Sequence, residues 1–246
     1  MPKSPSGSRP PTSEPVSRRT RPAKAALSAD ALVSAALAIL DADGLDAVTM
    51  RRVAQALDTG PASLYVYVAN RNELLALVYD RVLGEIPLPA VGPVGAPNPR
   101  WREELVELIQ AAITILGGHR GIATVALGDV PTSPNALAVA ETILGLLAGS
   151  GIDDFARSLA LDLINLYITA AAAEQSAYFD KGAEGLTEES AVAAMDEEFA
   201  KLSAADHPHM VSMRDALTRG SGDVRDAWSI DVLLNGIVGT PAPAEE

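Results

Sequence analysis

The chain has 246 residues, 48% of them hydrophobic, enough to bury a sizeable core in one or two domains. It has no cysteine, which excludes disulfides and thiolate chemistry and agrees with a reducing cytoplasm, and no continuous apolar run in it is long enough to span a membrane. The formal net charge of −13 confines any contact with a polyanion to one part of the surface.

Residues 1–27 hold Lys3, Arg9, Arg18, Arg19, Arg21 and Lys24 against Glu14 alone, a net +5. The segment is rich in Pro and Ser and lacks apolar periodicity, so a disordered basic arm is expected. No apolar run of a secretory signal precedes Ala25.

Residues 28–84 are expected to form a compact helical module. Ser28 is a good N-cap, and Leu32, Ala35, Ala36, Ile39 and Leu40 follow at the spacing of one buried helical face. Gly44 suits the end of that helix, and Thr49 caps a short second helix carrying Met50, Val53, Ala54 and Leu57. Asp58-Thr59-Gly60 has turn chemistry, and Pro61 suits the first position of a third helix. There Leu64 and Val68 face inward and leave Ala62, Ser63, Val66 and Tyr67 turned outward or sideways. Asn70 with Glu73 forms a capping-box-like start to a fourth helix, whose apolar face runs through Leu74, Leu75, Val78, Val82 and Leu83 to Gly84.

Pro87, Pro89, Pro93, Pro97 and Pro99, with Gly92 and Gly95, make residues 85–99 a connector. Helical periodicity then continues near 100–117, 120–127, 134–149, 152–178, 187–204, 208–219 and 222–238, and no alternating strand pattern competes. A helical domain is expected over 100–240 and a disordered tail over 241–246. The fold class is all-α: an N-terminal helix-turn-helix unit and a larger helical domain.

Taken together, Thr49-Met50-Arg51-Arg52-Val53-Ala54-Gln55-Ala56-Leu57, Ser63-Leu64-Tyr65-Val66-Tyr67-Val68 and Asn70-Arg71-Asn72-Glu73-Leu74-Leu75 resemble the N-terminal domain of the TetR family of bacterial transcriptional regulators. The resemblance covers about fifty-seven positions, and the body is more weakly similar to the tetracycline-repressor type of C-terminal domain. It implies that the third helix enters the major groove of a double-stranded DNA operator and that a homodimer places two modules on a pseudo-palindrome. Ala62 and Ser63 would then approach base edges, Tyr65 and Tyr67 would reach phosphate or base, and Arg71 would bind phosphate. Thr49 would cap its helix and donate to phosphate, and Arg51 is the candidate for a guanine contact. Tyr65 is equally readable as a core residue, while Arg52 and Arg81 read as solvated surface.

Between Pro61 and Ala69 there is no Arg, Lys, Asn or Gln, so the third helix is a poor direct reader of base edges. Four arginines against seven carboxylates leave residues 28–84 at about −3. The basic arm, with Arg18, Arg19 and Arg21 nearest the module, is the natural supplement through phosphate and minor-groove contacts, against the plainer reading of a solubilising tail.

In the family, two helices from each subunit form a four-helix bundle, which implies a dimer interface of Leu159, Leu163, Leu166, Ala170, Val224, Trp228 and Leu234; intramolecular core is the alternative. The resemblance also implies a cavity for a small-molecule effector of unknown identity. By helical position, Trp101, Ile109, Ile113, Leu127 and Ile143 are candidates to line it, followed by Leu147, Phe155, Asn165, Tyr167 and Tyr178. No catalytic constellation, cofactor motif or metal site is evident: His207-Pro208-His209 reads as a surface turn, and tetracycline–magnesium is not carried over. The expected function is a ligand-responsive regulator, more a repressor than an activator. The rival is a helical small-molecule-binding or enzymatic protein with a degenerate helix-turn-helix, and a third reading is a DNA binder without sequence preference.

Overall fold

The computed structural model describes residues 27–127, 132–183 and 187–243. Among them every regular element is helical and no strand occurs. The head comprises α1 (Ala29–Asp43), α2 (Met50–Ala56), α3 (Pro61–Leu64) and α4 (Arg71–Leu83). The body comprises α5 (Trp101–Gly118), α6 (Pro134–Leu147), α7 (Asp154–Ala183), α8 (Glu188–Ala200), α9 (Pro208–Leu217) and α10 (Gly222–Gly239).

The caps read from the sequence are formed. Ser28 Oγ accepts the Ala31 N–H at 3.1 Å, Thr49 Oγ1 the Arg52 N–H at 3.2 Å, and Asn70 Oδ1 the Glu73 N–H at 2.9 Å. The Glu73 carboxylate reaches back to the Ala69 N–H, completing a box shifted by one residue. Gly44 takes φ 83° while its N–H closes on Leu40 O at 2.7 Å, a turn at which an L side chain is strained. Leu32, Ala36, Leu40, Val53, Leu64, Val68, Leu74 and Val78 are all buried in the head's core.

Two elements are shorter than their patterns suggest. Pro61 starts α3 as expected, but the helix ends at Leu64 and Tyr65–Tyr67 close as a turn, with Leu64 and Val68 still facing inward. The segment expected as a helix over 120–127 is a 3-10 piece, Ile122–Ala126, entered through Gly121 at φ 82°.

The inner faces of α5 and α7 carry Leu105, Leu108, Ile109, Leu116, Ile164, Ile168 and Ala172 into the centre of the body. α6 packs on both of these helices, and α10 rests on α7 through Ile230 and Leu234. α8 and α9 pair with each other through a two-pronged Arg214–Asp196 bond at 2.7 and 2.6 Å, and no residue of α9 is buried.

One dimer assignment needs correction. Leu234, assigned to a dimer interface, is fully buried within its own subunit because it lies on the inner side of α10 with Ile230 and Ile237. An 18-residue window within Asp154–Tyr178 of α7 reaches a mean hydropathy of 1.2, so by length and composition alone this helix passes for a membrane span although its sequence is not a continuous apolar run. Arg157, Asp162 and Glu174 interrupt the stretch, and one face of this helix is packed in the body.

The connector closes over the body at glycines. A Cβ on Gly149 would lie 2.8 Å from Asn98 O and 2.9 Å from Trp101 Cβ, one of them backbone and neither able to swing aside. Gly149→Ala is therefore expected to destabilise the body by about 1–3 kcal/mol through overpacking, read as a lowered midpoint in thermal denaturation.

Candidate nucleic-acid interface and effector cavity

α2 and α3 are held by their buried faces, and the turn between them sets their angle. Asp58 takes φ 49°, and the Thr59 N–H reaches back to Ala54 O at 2.9 Å, stopping α2 sharply before Pro61 restarts the chain. The side chains left outside are those assigned to DNA from the sequence: Thr49, Arg51, Ala62, Tyr65 and Val66 are exposed and Ser63 is half-buried. Tyr65 is 55% exposed, so the reading of it as core is not what the fold adopts. Arg51 makes no hydrogen bond or ion pair among the described residues. Arg18, Arg19 and Arg21 lie outside the described residues.

Two other assigned contacts are spent inside the head. Arg71 turns inward, its Nε donating to Val48 O at 2.6 Å and its NH2 to Leu45 O at 2.8 Å. It ties the start of α4 to the segment joining α1 to α2, whose 3-10 turn leaves carbonyls in need of donors. The Tyr67 hydroxyl donates to Leu27 O at 2.7 Å and so anchors the chain just before α1. Neither role has a signal in local sequence, because each joins positions 23 or more residues apart. Arg52 and Arg81, read as surface, are exposed and paired with Asp43 and Asp30.

A cavity of about 410 Å3 lies between α4, α5, α6 and α7. Tyr79 and Leu83 of α4, Leu116 of α5, Val139 of α6 and Asn165 and Thr169 of α7 line it, with Leu127 and Thr132 at its rim from the loop between α5 and α6. Burial holds the Tyr79 phenol above its ordinary pKa, so its proton stays in place as a donor. Of the ten residues proposed for a cavity, Leu127 and Asn165 line this one. Ile113 and Tyr178 line a second, more polar hollow near the start of α10. Ile109, Ile143 and Leu147 are fully buried core, Trp101 packs against Gly149, and Phe155 is exposed. Tyr167 is half-buried and packs against the core. Helical phase alone does not separate a lining position from a core position, which explains these misses.

Besides the packing of α4 on α5, α6 and Ile122–Ala126, polar contacts join head and body at two places among the described residues. Asp80 of α4 accepts the Asn135 N–H at 2.9 Å and the Ala136 N–H at 3.4 Å, capping the start of α6 from another helix, while Asn135 Nδ2 returns a bond to Asp80 O at 2.9 Å. Behind α5, His119 Nδ1 lies 2.7 Å from Asp41 Oδ1, and Arg120 NH1 donates to Ala42 O at 2.9 Å.

Two family models match this chain: "Bacterial regulatory proteins, tetR family" over residues 32–78 and "Tetracyclin repressor-like, C-terminal domain" over residues 94–239. Among curated proteins, the HTH-type transcriptional repressor DrrR1 of Streptomyces coeruleorubidus is 34% identical over 158 residues, 64% of this chain and 57% of that protein. An HTH-type transcriptional regulator of Saccharopolyspora erythraea is 34% identical over 133 residues, 54% of this chain and 53% of that protein. The chain thus spans a little over half the length of these relatives. Among solved structures, apo ActR of Streptomyces coelicolor superposes with a TM-score of 0.74 at 34% identity, covering 87% of this chain and 98% of that one. ActR in complex with actinorhodin gives 0.75 at 33% identity, covering 90% of this chain and 100% of that one.

The inward turn of Arg71 makes a prediction that separates it from Arg51. Arg71→Ala leaves two part-buried carbonyls without their donor and should lower stability by about 1–3 kcal/mol. Arg51→Ala, at an exposed site, should stay within about 0.5 kcal/mol of the parent protein in urea unfolding.

Proposed function

The chain belongs to the TetR family of bacterial regulatory proteins, and on that premise we propose that it is a ligand-responsive transcriptional repressor, acting in the cytoplasm as a homodimer on a palindromic operator. The observation that carries this reading is that α4 serves both halves. Its first turn, through Arg71, braces the segment before α2; its last turns, through Tyr79 and Leu83, wall the cavity, and Asp80 caps α6. A ligand seated against α4 and α6 acts on the helix that aims the head. ActR, at 33–34% identity, has been solved in complex with actinorhodin and with (S)-DNPA, which supports a ligand-responsive reading.

DNA is approached by Thr49, Arg51, Ala62, Ser63 and Tyr65, with residues 1–27 adding charge. With Arg71 turned inward onto backbone carbonyls, Arg51 remains the head's principal free cation for base or phosphate, and Tyr67 keeps an exposed ring while its hydroxyl bonds Leu27 O. Base readout by α3 rests on small and apolar contacts such as thymine methyls, together with DNA shape.

Pairing of subunits uses the apolar stripe that one chain leaves open. Leu159, Leu163 and Leu166 are exposed along α7, and Val224, Trp228 and Val232 along α10; Leu166 is 56% and Trp228 67% exposed. Such a row is too large for an isolated surface and matches the two-helix contribution to a four-helix bundle.

Selection of bound genomic fragments by the purified protein should recover a palindrome, whereas no enrichment would favour a protein with a degenerate helix-turn-helix. On the recovered site, Arg51→Ala should cost about 1–3 kcal/mol of affinity, and removal of residues 1–27 should weaken binding and flatten its salt dependence. An unchanged salt slope would count against the arm. Leu163→Glu should convert the dimer to monomer in sedimentation, and a monomeric parent would instead make the stripe a surface of another kind.

A further inference from the structure

The lining of the cavity between α4, α5, α6 and α7 carries one charged side chain, Asp162, and no Lys, Arg or His. Asp162 makes no ion pair or hydrogen bond among the described residues. The basic side chains described on the surrounding helices are already committed: Arg71 to two carbonyls, Arg81 to Asp30, Arg102 to Asp231 and Arg157 to Asp154. No described cation of the walls is left to receive an anionic group.

A carboxylate or phosphate entering here would lose hydration without a partner and would face Asp162 as a like charge. A protonated amine gains a charge-assisted hydrogen bond at Asp162, with Asn165 and Thr169 one and two turns further along α7 as neutral partners. The long-range field has the same sign, since residues 85–246 carry nine basic and twenty-four acidic side chains. Leu83, Ile86, Leu116 and Ile168 make the remaining wall apolar, and about 410 Å3 accommodates a drug-sized ring system.

We propose that the effector is an apolar, ring-bearing molecule with one protonated amine, received by Asp162 while its rings lie against α4 and α5. This assignment rests on the reading of the cavity as the effector site.

The test uses the full-length protein and three fluorescent probes that share one ring system: aminomethylanthracene, anthracenemethanol and anthracenecarboxylate, each titrated without DNA. The amine should bind about tenfold more tightly than the alcohol, a typical gain for a hydrogen bond to a charged group, and the carboxylate most weakly. Asp162→Asn should bring the amine-to-alcohol ratio close to one. Equal affinities for the three probes, a preference for the carboxylate, or an amine preference that persists in Asp162→Asn each overturns the charge assignment and leaves the cavity reading standing. Val139→Trp, with Ala76→Phe as a second filling variant should the first not fold, is expected to abolish binding of all three. Undiminished binding in a folded filling variant places the probes elsewhere and overturns the cavity reading itself.

Discussion

The bond between Asp80 and the start of α6 is the joint on which the arrangement of head and body depends. α6 begins at Pro134, and its own N-cap residue, Ser133, makes no capping bond, so the helix would present unpaired N–H groups at its positive end. A carboxylate delivered from α4 supplies both the acceptor and the negative charge. The arrangement is stiff because Asn135 also donates back to the Asp80 carbonyl, so α4 cannot slide along α6 without breaking several bonds together. The contact of His119 and Arg120 with the end of α1 forms a second fulcrum on the far side of the head.

The same economy governs charge. The head has four arginines, and three are used within it: Arg71 on backbone carbonyls, Arg52 on Asp43 and Arg81 on Asp30. The two exposed pairs add little stability, but they lower the positive potential the head offers to DNA. A surface so arranged cannot rely on phosphate attraction from its folded part alone. In the proposed reading the basic composition of residues 1–27 is the complement, and the Tyr67 hydroxyl holds Leu27, the last residue of that segment, beside the turn that follows α3.

Much of this was legible from residue spacing. Caps at Ser28, Thr49 and Asn70, Pro61 at the start of α3 and the inward pair Leu64 and Val68 follow from local chemistry, and the six body helices were located to within a few residues because Gly and Pro punctuate them. What the sequence hid is long-range. Arg71 and Tyr67 stand where a family pattern suggests DNA contacts, yet their partners are backbone carbonyls far along the chain, a kind of partner that no side-chain pattern reveals. Ile109, Ile143 and Leu147 share the helical phase of lining residues but sit on the closed side of the packing, and Leu234 differs from the exposed Trp228 by less than two turns of one helix. Burial at that resolution is set by which neighbour a helix meets, and periodicity does not name the neighbour.

The cavity and the proposed dimer seam share residues of α7. Leu166 lines the cavity and also belongs to the exposed stripe, and Asp162 lies one turn before it. A second subunit on that stripe would cover part of the mouth and remove water from around Asp162, strengthening any charge pair formed there. A ligand shifts the balance between two head spacings only through contacts that differ between them. Ala112 and Leu116 lie on the buried face of α5, away from the contacts that join head to body. Tyr79 and Leu83 on α4, and Ala136 beside the Asp80 cap, are the lining residues on the elements that join head to body. The discriminating contacts therefore lie on the α4 side of the cavity: a molecule that fills only the α5–α7 side binds without releasing DNA, and one that reaches Tyr79 acts as the inducer.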